Sequence, residues 1–153
     1  MIILAFDPGK LTGMAVAEFQ NGTTATFIDV NEFSTFTRLP ELFKMCDPDV
    51  VIYETFHLFP WKAHRLIWDD FVACEVIGVI KHYADISLSP GSLLIGQSPQ
   101  QKKFFNNARL KELGFNLNSE HKRDAVRHLL YYLKFTLGAE INGRTVFVSG
   151  TSK

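Results

Sequence analysis

The chain has few cysteines and no long apolar run, and these absences exclude several classes of protein. Its two cysteines, Cys46 and Cys74, lack the spacing of a zinc site and are too few for a disulfide framework. No apolar stretch reaches the roughly 18 residues of a membrane span. The opening MIILAF has neither a basic segment before it nor a small-residue cleavage site after it, as a secretory signal would. We therefore expect a soluble cytoplasmic protein without a membrane partner.

A surplus of charge is also absent, because 16 basic residues balance 16 acidic ones. This balance argues against binding of nucleic acid by bulk charge alone. The charges are unevenly distributed, however, with an acidic surplus in residues 1–60 and a basic surplus in residues 61–153. Such a chain can combine a cation site with a surface that binds a polyanion, although an ordinary mixed surface would look the same.

Apolar runs separated by turn signals predict a single α/β domain over residues 1–153. Five short runs predict strands at 2–6, 13–19, 24–33, 50–54 and 93–96. Helices are predicted at 38–46, at about 63–84, from Ser98-Pro99 with Pro99 at the first helical position, and from a capping Ser119 to about residue 137. The first three strands are joined by tight turns, so we expect them to be antiparallel within a mixed five-stranded sheet flanked by helices. Asn142-Gly143 predicts a small hairpin in a C-terminal extension, 138–153.

Two of the predicted strands end on an acid, Asp7 and Glu54. Strands 1 and 4 of such a sheet tend to be central neighbours, so these carboxylates are expected to lie together. On the last predicted helix, His121, Asp124 and His128 share one face. Neighbouring carboxylates repel unless a cation lies between them, and oxygen-rich sites select Mg²⁺ or Mn²⁺. The pattern predicts a pair of divalent ions suited to phosphodiester hydrolysis, with His128 more typical of a packed histidine than of a ligand.

Structural roles for the same acids stay open at this point. Asp7 can bond to the turn that follows it, as aspartates often do. Glu54 can be a buried acid paired with Lys10 or Arg65. Asp124 can stabilise the first turn of its helix through the helix dipole.

Three segments resemble the motifs of RuvC-type Holliday junction resolvases. AFDPGKLTGMAV, residues 5–16, is similar to their acid-Pro-Gly turn with a following Thr-Gly; VVIYETF, residues 50–56, to their strand ending in Glu; and HKRDAVRHLL, residues 121–130, to their closing helix. The motifs occur in the family's order across residues 2–137. The resemblance implies an RNase H-like fold and a homodimer that nicks four-way DNA junctions symmetrically with Mg²⁺ or Mn²⁺.

The resemblance also implies which residues do the work. Asp7, Glu54, His121 and Asp124 would be the catalytic metal ligands, and the His in this set makes the choice between Mg²⁺ and Mn²⁺ open. In SPQQKKFF, Lys103, or its neighbour Lys102, would contact the scissile phosphate.

Other aromatic and basic residues are predicted to contact the DNA. The resemblance implies an aromatic shortly after the acid of the second motif that inserts into the open centre of a junction, and Phe56 is the first choice for it. Aromatic residues among basic ones suit unpaired bases and phosphates. The remaining predicted contacts are Lys10, Trp61, Lys62, Arg65, Lys102, Lys103, Lys122 and Arg123.

Rival functions keep some of these residues and change the substrate or the activity. A different RNase H-like nuclease would act on flaps, single strands or RNA-containing duplexes and need no symmetric dimer. A non-catalytic junction- or RNA-binding module would bind without cutting, and an ATP-binding actin-like relative ranks last because it needs more chain. We expect the dimer to form through the long helix around residues 71–80. The size would suit a virus or phage protein acting in the host cytoplasm.

Overall fold

A computed structural model describes residues 1–20, 24–34, 36–56, 68–141 and 145–148, with the backbone alone at 68–70 and 145–148. The strands are β1 Ile2–Asp7, β2 Thr12–Gln20, β3 Thr24–Phe33, β4 Val50–Glu54, β5 Leu93–Gln97, β6 Ala139–Ile141 and β7 Thr145–Val148. The helices are α1 Arg38–Cys46, α2 Trp68–Ser87, α3 Asn107–Glu112 and α4 Glu120–Phe135, with a 3₁₀ helix at Gln101–Phe104.

The strands form one mixed sheet in the order β5-β4-β1-β2-β3-β7-β6. Strand β1 is antiparallel to β2 and parallel to β4, and β3 is antiparallel to β2. The predicted five-stranded sheet with three antiparallel strands is therefore confirmed, and so is the pairing of the first and fourth strands. Strands β6 and β7 pair with each other, and β7 adds to β3, so the C-terminal segment enlarges the sheet to seven strands.

Strand β1 is apolar from Ile2 to Phe6, as suits a strand with both faces buried. Its side chains alternate between the two faces, as in any strand. Ile3 and Ala5 belong to the cluster that α4 covers, whereas Leu4 and Phe6 belong to the cluster under α1 and α2. By the same alternation Asp7 falls on the face of α4.

The same alternation of side chains places the last residues of β4 and β5 on the face that α4 covers. Val50 and Ile52 lie in the cluster under α4, and Ile95 of β5 packs against it. Glu54 and Gln97 lie two residues further along these parallel strands and so fall on that face too. Three neighbouring strands thus end in a polar side chain on the side that α4 covers.

Several helices differ from the predicted ones. The helix predicted with Pro99 at its first position begins instead at Gln101 and is a 3₁₀ helix of four residues. The described part of α2 begins at Trp68, and the predicted start at residue 63 lies outside the described residues. Helix α3 was not predicted, since its six residues are too short to show a period; the side chain of Asn106 caps it by accepting from the Arg109 amide at 2.9 Å. Ser119 occupies the N-cap position of α4, but its hydroxyl bonds to Glu32 instead of capping the helix. None of the described helices has the length and apolarity to cross a membrane.

Helix α4 approaches β2 unusually closely, at Gly13. Gly13 is the ladder partner of Asp7. A Cβ atom added to Gly13 would lie 1.9 Å from the backbone oxygen of His121 in the first turn of α4. The absent side chain is therefore what lets the start of α4 lie against the end of β1.

Gly13→Ala is expected to destabilise the protein by about 1–3 kcal/mol or more, because backbone must move to admit the methyl group. Urea unfolding followed by circular dichroism measures this. Gly78→Ala is the matched control, since a Cβ there meets nothing within 4 Å in helix α2. The control should be neutral or stabilising by up to about 1 kcal/mol. Equal stability of the Gly13 variant and the wild type would contradict the close approach.

Candidate functional site

The ammonium group of Lys102 lies among three carboxylates that come from separate elements. Its Nζ is 2.8 Å from Oε2 of Glu54 at the end of β4 and 3.8 Å from Oδ1 of Asp7 at the end of β1. It also forms a short contact with Oδ2 of Asp124 on α4. Asp7 and Asp124 are buried. Residues 117 positions apart in the chain thus share one small space, which is the arrangement that the sequence predicted for the acids.

Two histidines of α4 hold carboxylates of this group. Nδ1 of His121 lies 2.8 Å from Oδ2 of Asp7. His128 is completely buried, with Nε2 at 2.8 Å from Oε2 of Glu54 and Nδ1 at 2.7 Å from Oε1 of Gln97. His128 therefore belongs to the site. Its burial fits the expected packed histidine, but it packs against a carboxylate.

Asp7 and Glu54 both contact the cluster itself, and Arg65, one of the alternative partners of Glu54, lies outside the described residues. The Gly9 amide of the turn after Asp7 is directed at Oγ1 of Thr12, at 3.4 Å. Glu54 pairs with Lys102, which was not among its predicted structural partners.

The ionisation of the site shows how strongly its charges depend on each other. Burial raises the pKa of Asp7 to about 6, although the bond to His121 and the charge of Lys102 act to lower it. Burial acts to raise the pKa of Glu54 as well, but the bonds to His128 and Lys102 outweigh it and hold that pKa below its ordinary value. Burial acts to lower the pKa of Lys102, yet the bonds to Asp124 and Glu54 hold it above the usual range. Burial, more than any neighbouring charge, therefore favours the protonated form of Asp7.

The donor set fits a divalent metal ion. Asp7, Glu54 and His128 each offer one ligand atom, and these atoms lie within 4.8 Å of one another. Carboxylate oxygens with one imidazole nitrogen suit Mn²⁺ well and Mg²⁺ less well, because Mg²⁺ prefers oxygen. The ammonium group of Lys102 lies among the same carboxylate oxygens that would bind such an ion. The cluster is therefore a candidate metal site.

Solved structures with the same architecture are Holliday junction resolvases. The chain is similar to Thermus thermophilus RuvC in complex with a Holliday junction substrate, with a TM-score of 0.65 and 17% identity over 89% of this chain and 94% of that one. The fold is that of RuvC. For the Fowlpox virus resolvase with Holliday junction DNA the TM-score is 0.58, with 16% identity over 90% of this chain and 99% of that chain.

The yeast mitochondrial Holliday junction resolvase shares the RuvC fold more distantly. Its TM-score is 0.52, with 13% identity over 88% of this chain and 77% of that one. No protein-family model and no curated protein matches the sequence. Because one fold hosts many activities, the function must be argued from the site.

A buried arginine that was not predicted from the sequence supports the carboxylate cluster. Arg127 bonds through NH1 to Asp124 and to Oε1 of Glu120 at 2.8 Å. Its Nε donates to the carbonyl of Phe105 at 2.8 Å, just after the 3₁₀ helix that carries Lys102. Arg127 therefore ties the carboxylate of Asp124 to the segment that supplies the ammonium. Its spacing of three from Asp124 on an otherwise apolar helix face was the available signal.

The structure separates the two lysines that were alternatives for a phosphate contact. Lys102 lies in the carboxylate cluster, and Lys103 is exposed to solvent. The difference arises because adjacent residues of a 3₁₀ helix point about a third of a turn apart.

The other predicted nucleic-acid contacts occupy varied positions. Phe56 is half-buried and packs against the cluster under α1 and α2. Lys10 is exposed, Lys122 lies 3.9 Å from a carboxylate oxygen of Glu32, and Arg123 bonds to Glu120. Three further predictions, Trp61, Lys62 and Arg65, lie outside the described residues. DNA contact by each of these side chains stays a prediction.

Lys102→Met is expected to strengthen binding of Mn²⁺ at least about fivefold, because an ammonium and a divalent ion compete for the same oxygens over a few ångströms. Titration calorimetry of the folded variant with MnCl₂ measures it. Lys103→Met should bind Mn²⁺ like the wild type. Weaker Mn²⁺ binding in the Lys102 variant would show that the ammonium does not occupy the ion's position.

Arg127→Met is expected to cost about 3–5 kcal/mol of unfolding free energy, because it removes one of the two cations that pair with the buried carboxylate of Asp124. Arg123→Met, one turn earlier, tests an exposed pair with Glu120 and should cost less than about 1 kcal/mol. The pair of arginines lowers the pKa of Glu120 to about 2, Arg127 contributing more than Arg123. Denaturant unfolding of both variants gives the comparison, and equal losses would refute the special role of Arg127.

Proposed function

We propose that this chain is a metal-dependent endonuclease that resolves four-way DNA junctions by symmetric hydrolysis of phosphodiesters. The observation that carries the proposal is the convergence of Asp7, Glu54 and Asp124 on one cation. These are the three acids that the RuvC-like motifs single out. The junction-bound structures with the same fold add support for the substrate class.

Asp7, Glu54, Asp124 and His121 would hold two Mg²⁺ or Mn²⁺ ions, and His128 extends the set of possible ligands. Bound there, the ions supply Lewis-acid stabilisation of phosphate oxygens and a water of lowered pKa. Asp7 must lose its proton to act as a ligand, so metal affinity should fall as the pH drops through about 6.

The protein's own side chains would position the phosphate and the ligands. Lys102 lies where it can donate to a phosphate oxygen and stabilise developing negative charge, once it exchanges its carboxylate partners for that oxygen. His128 orients Glu54, and Arg127 orients Asp124. The exposed Lys103, with Lys10, Lys122 and Arg123, would contact the flanking sugar-phosphate backbone.

Symmetric cutting needs two sites, and we propose a homodimer through α2. Phe71 and Ile86 of this helix are exposed, although Ile77 and Ile80 bury its other face against the sheet. Phe36, Pro40 and Val79 line an adjoining groove between α1 and α2. An apolar face of this kind suits the self-complementary contact of a two-fold dimer.

Asp7→Asn is expected to lower Mg²⁺- or Mn²⁺-dependent nicking of a synthetic four-way junction by more than about a hundredfold. Loss of a direct ligand should exceed the 10- to 100-fold typical of an outer partner. Nicks are counted on a denaturing gel with each arm labelled in turn. Asp29→Asn, an exposed acid on β3, is the control and should cut normally.

The same assay separates the proposal from its rivals. Undiminished nicking by the Asp7 variant would rule out this site. Cutting of flaps or single strands in preference to junctions, by a protein that sediments as a monomer, would replace junction resolution with another nuclease activity. Binding of junctions that neither metal nor chelator affects, without any cutting, would favour a binding module.

A further inference from the structure

Three aromatic side chains form a cluster on the surface beside the candidate active site. Phe104 comes from the 3₁₀ helix, and Tyr131 and Phe135 come from α4. The ring centroids are 5.5 Å apart for Phe104 and Tyr131, 5.0 Å for Phe104 and Phe135, and 4.7 Å for Tyr131 and Phe135. Phe104 is 63% exposed and Phe135 is 50% exposed. Apolar rings gathered on the outside of a domain usually mark a surface that binds something.

Two members of the aromatic cluster lie on the same stripe of α4 as Asp124 of the site. Tyr131 and Phe135 follow Asp124 by seven and eleven positions, which are whole numbers of helical turns to a good approximation. They therefore lie about 10 and 16 Å from Asp124 along the helix axis. Phe104 lies two residues after Lys102 in the same 3₁₀ helix, so the aromatic cluster adjoins the carboxylate site. This separation corresponds to about three to five stacked nucleotides at 3.4 Å each.

Two exposed lysines are sequence neighbours of the aromatic cluster. Lys103 precedes Phe104, Lys134 precedes Phe135, and both lysines are exposed. Neither forms a salt bridge with another residue that the structure describes. Rings with unengaged ammonium groups beside them are the combination that single-stranded nucleic acids require, because bases stack on the rings while the cations attract phosphates.

We propose that the aromatic cluster stacks an unpaired base of the strand whose phosphate lies at the carboxylates. The inference rests on the proposed nuclease function and adds a substrate requirement, namely an unpaired nucleotide a few positions from the cut. A continuous duplex keeps its base faces stacked on one another, so it offers none of them to the rings. A second copy of the chain is the rival occupant, and the flanking lysines disfavour it because they would repel their own copies.

The test compares two single strands that differ only in their bases. A fluorescein-labelled 20-mer of thymidine and an abasic 20-mer with the same backbone are titrated with the full-length protein in EDTA, so that no cutting occurs. The wild type should bind the thymidine strand at least about fivefold more tightly, the effect of one stacked base. Phe104→Ala combined with Phe135→Ala should abolish that preference and leave binding of the abasic strand unchanged.

Three control variants isolate the contribution of the rings. Met45→Ala removes an exposed apolar side chain on the other side of the sheet and should keep the preference. Lys103→Ala should weaken binding of both strands equally. Phe104→Leu keeps apolar surface without a ring and should lose part of the preference, while circular dichroism verifies its fold.

The outcomes separate this inference from the proposed function. Equal binding of the two strands by the wild type, or a preference that survives loss of both phenylalanines, overturns the stacking surface even if junctions are cut. Concentration-dependent self-association that the double variant abolishes, with base preference unchanged, would assign the cluster to contact between copies and also overturn it. Loss of preference in a protein that cuts no junction would retain the surface and refute the nuclease.

Discussion

The structure around the site depends on the neutralisation of buried carboxylates by neighbouring cations. Three carboxylates, from Asp7, Glu54 and Asp124, lie within reach of a single ammonium group. Lys102 and Arg127 supply two permanent positive charges, and Asp7 retains a proton to about pH 6. Buried carboxylates are tolerated only when cations neutralise them. Three carboxylates around one ammonium group make this cluster a candidate for divalent metal, and their attraction explains why Lys102 lies inward.

Two features of the fold bring these groups together: the alternation of side chains between the two faces of the sheet, and the close approach of helix α4 to strand β2 at Gly13. Asp7, Glu54 and Gln97 end neighbouring strands on the face that α4 covers. Helix α4 then contributes Asp124 and both histidines to the same place, since Gly13 allows its first turn to lie against β2. The site therefore depends on the backbone distance between two elements as much as on the identity of its charged residues.

Much of this arrangement could be predicted. The apolar run of β1 followed by Asp-Pro-Gly indicated a buried strand ending in an acid, and the neighbouring places of β1 and β4 followed from the order of elements. The partners that side chains of helix α4 contact were harder to predict. His128 was expected to be a packed side chain and Arg127 was overlooked, because periodicity gives the face of a helix but not the partner that the face meets.

The sequence by itself determined the order of elements, the face each strand buries and the three acids at the site, because these depend on local patterns of apolar and polar residues. Only the tertiary structure decided that Lys102 points into the carboxylates while Lys103 faces solvent. It also decided that the C-terminal hairpin joins the sheet at β3, and that Phe104 meets Tyr131 and Phe135 beside the site. Each of these depends on how separate segments approach in space, and short-range patterns in a single sequence carry no record of such distances.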